Sequence, residues 1–104
     1  MNQYYILNGH ETAPVNFDNW VRWFKNTQNR HVADEKVGDV RISTVFLGLD
    51  HSWDGPPPLL FETMVFGGPL DMDMERYTTW KQAEDGHKRM VERVKNYKQE
   101  EKNG

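Results

Sequence analysis

"VRISTVFLGLDHSWDGPPPLLFETMVF", residues 40–66, places two apolar runs on either side of a stiff loop, and how those runs pair decides the fold. In the first run Val40, Ile42, Thr44 and Phe46 share one face of an extended chain, and Ser43, Val45, Leu47 and Leu49 share the other. That period of two is the period of a β-strand. Both faces are largely apolar by the end of the run, which predicts an interior strand, or one covered on its second face by a helix or another subunit. Leu59 to Phe66 makes the next strand, ended by Gly67-Gly68-Pro69. Between the two, Gly55 precedes three consecutive prolines, which fix φ and hold the residues before them extended. A parallel pair would need a crossover of about a dozen residues or more, so an antiparallel pair joined by a long, stiff loop is expected.

Working outward, Tyr4 to Leu7 reads as a short strand closed by the Asn8-Gly9 turn. After Pro14 the period changes: Phe17, Trp20, Val21 and Phe24 recur at helical spacing, with Asn16 as N-cap and Asp18 in the first turn, predicting a helix over 17–27. The weaker pattern from Asn29 to Asp39 supports at most a short strand around Val32-Ala33, and "LDMDMERY" reads as an acidic loop. A second helix is predicted over 79–98. Thr79 and Gln82 have capping-box spacing, and Trp80, Ala83, His87, Val91 and Val94 form one stripe. The fold class that results is α+β: a small antiparallel sheet against two helices, in the order β-α-(β)-β-β-α, in one domain with a frayed polar tail over 99–104.

Thirteen Lys and Arg against sixteen Asp and Glu give a net charge of −3, which is no footprint for binding a nucleic-acid polymer. The absence of cysteine removes disulfides, thiolate metal sites and a cysteine nucleophile. No apolar run approaches the ~20 residues of a membrane span, and the start lacks the pattern of a signal peptide, so a cytoplasmic protein is expected. The histidines show none of the common metal-ligand spacings and the chain has no glycine-rich phosphate cradle, so neither a metal nor a cofactor is expected.

Chemistry-bearing residues concentrate around the loop. Asp50 and His51 fall where strand becomes loop, with Trp53 following, a placement that suits a binding site held by a rigid scaffold. Glu62 shares a strand face with Leu60, Met64 and Phe66, so its carboxylate needs compensation, either from Arg41, Arg76 or His87 or from a ligand. Arg76 is a candidate anion partner beside the "FGGP" turn. His87 follows Gly86 inside the second helix, where a glycine costs ~1 kcal/mol relative to alanine and signals close approach of a neighbour. Asp50, His51, Trp53, Glu62, Arg76 and His87 are therefore the candidate binding residues. No nucleophile-elbow serine accompanies Asp50 and His51, so no catalytic residue is assigned.

"STVFLGLDH" (43–51), "GPPPLLFETMVFGG" (55–68) and "RYTTWKQAEDGH" (76–87) together resemble a family of small proteins encoded by bacteriophages and prophages. The resemblance runs from "YYILNGHE" (4–11) through the second helix and implies action in the host bacterial cytoplasm; it transfers no catalytic role. Three functions are set out. The first is a counter-defence protein that captures a small immune ligand such as a nucleotide, by stacking on Trp or Tyr. The second is an acidic inhibitor of a host defence nuclease. The third is a small hydrolase. The apolar second face of the 40–49 strand also leads to an expected homodimer.

Overall fold

The structure, a computed structural model, describes residues 3–103, with side chains described through residue 97. Its elements in chain order are β1 (Tyr4–Asn8), β2 (Glu11–Val15), α1 (Phe17–Asn26), β3 (His31–Val37), β4 (Val40–Phe46), β5 (Phe61–Phe66), β6 (Met74–Tyr77) and α2 (Trp80–Asn103). Strands β3-β4-β5-β6 form an antiparallel meander in that order, and β1 and β2 form a separate antiparallel hairpin. The fold is α+β. The pairing expected of the opening stretch holds, with Phe46 opposite Phe61 and Arg41 opposite Phe66.

The alternation in β4 and β5 sorts the sheet into two faces. Val40, Ile42, Thr44 and Phe46 are buried on one face with Phe61, Thr63 and Val65, and α2 lies across them with Ala83, His87, Met90, Val91 and Val94. Thr79 starts α2 as predicted: its Oγ1 accepts from the Gln82 amide at 3.1 Å, and Gln82 Oε1 accepts from the Thr79 amide at 3.2 Å. Gly86 sits where α2 crosses β6, and a Cβ there would overlap the Tyr77 ring. The cost that glycine imposes on the helix is thus explained by tight packing on the sheet.

Helix α1 begins where expected, with Asn16 Oδ1 accepting from the Asn19 amide at 2.9 Å. None of its residues is fully buried. Its aromatic stripe closes the end of the sheet instead: Trp23 meets Phe46 edge-on with ring centroids 5.6 Å apart, and Trp20 Nε1 donates to the Gly48 carbonyl at 3.0 Å. Gly48 has φ +76°, and a Cβ there would press on the Phe24 ring. The hairpin is tied to the same corner by Tyr5 N–H to Gly48 O and Asp50 N–H to Gln3 O. At its other end His10 stacks on Trp80 with ring centroids 3.8 Å apart.

Three strands exceed the sequence reading. β2 contains Pro14, which weakens a strand signal, yet the strand has a single pairing neighbour, so an absent N–H is tolerated on its free side. β3 is longer than expected because an edge strand can carry Asp34, Glu35 and Lys36 facing water. Residues 74–77, read as acidic loop, form β6, where Glu62 and Thr63 pair with Arg76 and Glu75. The second helix, expected to end at 98 before a frayed tail over 99–104, continues to Asn103, with the side chains beyond residue 97 and all of Gly104 outside the described residues.

Candidate functional site

The loop after β4 is built on Asp50. Its Oδ1 accepts from the Ser52 amide at 2.8 Å and from the Leu59 amide at 3.1 Å, bridging the two ends of the loop. His51 N–H donates to the Leu59 carbonyl, closing the same neck. Burial pushes the Asp50 carboxyl up, but the hydrogen bonds from Ser52 and Leu59 outweigh it and hold the group below the ordinary aspartate range. Asp50 is thus a structural anion whose Oδ1 holds the neck of the loop. Beyond the neck Trp53 is 94% exposed, supported by no neighbouring ring among the described residues.

Asp50, His51, Ser52, Trp53 and Arg76 border one open hollow of about 440 Å³. Arg76 reaches it from β6, directly across the ladder from Glu62, and donates through Nε to Glu62 Oε2 at 3.0 Å. The side chains of this pair are 27% and 15% exposed, so the carboxylate on the apolar strand is compensated by a guanidinium held in place by register. Of the alternatives the sequence leaves open for Glu62, its partner is Arg76. Four of the six candidates therefore border one hollow, and the fifth, Glu62, binds the fourth.

His87 stands apart on the opposite face of the sheet. It is 2% exposed, beneath α2, with Nδ1 2.7 Å from Thr44 Oγ1 and Nε2 2.9 Å from Glu35 Oε1. The expectation that it adjoins the loop rim is corrected by sheet geometry: Thr44 and Thr63, its neighbours, alternate with Val45 and Glu62, which face the other way.

Glu62 and Arg76 also belong to a larger surface. Arg41, Val45, Met64, Phe66 and Met74 share their face, which neither helix covers, since α2 and Trp23 of α1 meet the other one. Phe66 and Met74 are 41% and 44% exposed, and the Arg41 guanidinium lies 5.7 Å from the Phe66 ring centre. A second ion pair, Arg41 to Asp34 at 2.9 Å, borders this face at β3. Sequence reading noted both faces of β4 but missed β6, and with it the extent of the surface. Among the described residues no group of three His, Asp or Glu is placed to hold a metal, and no helix is long and apolar enough to cross a membrane.

No family model, no curated protein and no solved structure matches the chain.

Proposed function

We propose that this chain is a binding protein of phage origin that acts in the bacterial host, and that it recognises a host defence protein through the Asp50–Trp53 loop and Arg76. The observation that carries this reading is the 94% exposure of Trp53 on a loop whose neck is fixed by Asp50. A whole indole left in water is unfavourable for the free protein, and Trp and Arg are the side chains that most often dominate protein interfaces. A fixed loop also reduces the ordering cost on association. The net charge of −3 steers the chain toward a basic site on its partner, such as the nucleic-acid groove of a nuclease.

Capture of a small immune ligand is a second reading, supported by the hollow itself, whose volume is within the range of small-molecule sites. One feature favours the protein partner over it: the hollow is open, whereas small-molecule sites bury most of their ligand. A hydrolase is supported least, because Asp50 Oδ1 serves two backbone amides.

Trp53→Ala tests the proposal. Affinity capture from the host, followed by titration of the captured protein, should show binding weakened at least tenfold by the substitution with the unfolding transition unchanged. Calorimetry with host nucleotides should show no heat for either protein. Equal partner binding by the folded variant removes the loop from the site, and nucleotide binding lost in the variant establishes the second reading instead.

A further inference from the structure

One group from each strand of the meander, joined through α2, makes a continuous polar line inside an otherwise apolar layer. Glu35 of β3 meets His87 Nε2 at 2.9 Å, and His87 Nδ1 meets Thr44 Oγ1 of β4 at 2.7 Å. Thr44 and the Thr63 hydroxyl of β5 are hydrogen-bonded to each other, and Tyr77 of β6 reaches Thr63 Oγ1 at 3.1 Å. Thr44 and Thr63 are fully buried, and no buried polar side-chain atom is unsatisfied among the described residues.

Donor and acceptor chemistry gives this line a direction. A carboxylate only accepts, so Nε2 of His87 carries hydrogen and donates to Glu35. In the neutral ring Nδ1 must then accept, and its partner is the Thr44 O–H. Thr44 oxygen accepts from Thr63, and Thr63 oxygen accepts from Tyr77. Protonated His87 cannot keep this arrangement, because Nδ1 becomes a donor. Thr44 must then turn its hydrogen to Thr63, Thr63 must turn its own to Tyr77, and the Tyr77 hydrogen needs an acceptor outside the line. Glu75, two residues before it on the same face of β6, is the carboxylate of that strand able to accept, and it also takes a hydrogen bond from Arg89 of α2 at 3.4 Å.

We propose that this line is a proton-controlled relay in which protonation of His87 reverses the two threonine hydroxyls and turns the Tyr77 O–H from Thr63 to Glu75. The β6 edge thereby responds to a proton bound beneath α2. Proton balance is simple: His87 gains one proton from solvent, and Thr44, Thr63 and Tyr77 each keep theirs and rotate about a C–O bond. Burial first, with Glu75 nearby, raises the Tyr77 pKa, so the phenol stays protonated throughout. The groups facing His87 are Glu35, with Asp34 behind it on β3, the hydroxyls of β4 and β5, and Tyr77 with Glu75 on β6. Arg41 and Glu62 project from the other side of the sheet, Arg89 of α2 pairs with Glu75 at 3.4 Å, and the neighbouring α2 charges Glu84 and Lys88 are exposed. The relay is independent of what the Trp53 loop binds.

Nuclear magnetic resonance of histidine ring nitrogens and tyrosine ring carbons tests it on the full chain. At alkaline pH His87 should carry hydrogen on Nε2 alone. On acidification Nδ1 should protonate, and the Tyr77 ring signals should shift with the same midpoint. Thr44→Val cuts the line at nearly constant volume, so His87 should still titrate while Tyr77 loses that shift. Thr63→Val makes a second cut should the first variant fail to fold. A hydrogen on Nδ1 at alkaline pH, a His87 that stays neutral until the chain unfolds, or a Tyr77 shift undiminished in a cut line each overturns the relay.

Discussion

Asp50 shows how one side chain can define a loop that its neighbours use. Its two amide hydrogen bonds span residues 52 to 59, and their net contribution is about 1 kcal/mol each or somewhat more for a charged acceptor. Solvent at this half-buried position takes back part of that, so Asp50→Ala is expected to cost about 1–2 kcal/mol at neutral pH. The sign of the pH dependence follows from its lowered pKa. A depressed carboxylate contributes stability that is fully present above its unfolded value of about 3.9 and is lost as pH falls through the folded value. Denaturant unfolding of both proteins should therefore give a difference that is constant near neutrality and shrinks below about pH 4. Asp34, also lowered, by its hydrogen bonds to Arg41, titrates in both proteins and cancels. A difference that grows in acid would contradict the anchoring role. Asp50, His51 and Trp53 were legible as a site from residue type and position, because a strand end and a proline-rich loop are local features. The Glu62–Arg76 pair was legible only as one of three, since choosing among them requires the register of β5 and β6. His87 was legible as a residue needing a partner, but Glu35 lies 52 positions away and nothing local points to it.

At the scale of elements, the crossing of α2 over β6 rests on Gly86. Replacing this glycine by alanine ordinarily stabilises a helix by about 1 kcal/mol. Here the added methyl would overlap the Tyr77 ring, and overpacking a tight core costs about 1–3 kcal/mol. The steric term exceeds the propensity term, so Gly86→Ala is expected to destabilise by about 1 kcal/mol or more. Thermal unfolding checks this, and a variant more stable than wild type would show that Tyr77 has room to move. Both helices were legible because their caps and apolar stripes lie within a few residues of each other, as the Thr79–Gln82 capping box shows. β4 and β5 were legible from alternation. β2 and β6 were not, and β3 only as a short strand at Val32-Ala33, since edge and hairpin strands owe their form to neighbours rather than to an apolar pattern: β3 is charged, β2 contains Pro14, and β6 is four residues long.

The whole molecule measures 52 × 30 × 19 Å, with a radius of gyration of 15.4 Å against about 13 Å for a compact domain of similar length. Its smallest extent is that of one helix layer on one sheet, and nothing forms a third layer over Arg41, Val45, Met64, Phe66 and Met74. That face has an apolar centre bordered by two internally neutralised ion pairs, Asp34–Arg41 and Glu62–Arg76. The two pairs leave the apolar centre without a bare charge, Lys36 of β3 stands beside Arg41 at its border, and Met, Phe and Arg are the residues enriched in interfaces. A second copy related by a two-fold axis is the occupant that its exposed apolar centre, Phe66 and Met74, fits. Light scattering at low micromolar concentration is expected to give about twice the 12.3 kDa of one chain. Phe66→Glu, at the end of β5 far from the Trp53 loop, should return the mass to a single chain. Phe66 is 41% exposed, so the monomer should lose little stability, within about 0.5–1 kcal/mol. Because Phe66 and Trp53 lie at opposite ends of β5, the same variant should still bind a partner through the loop. A wild-type mass of one chain would leave the face without a second copy, while loss of partner binding on Phe66→Glu would extend the recognition surface along the whole sheet.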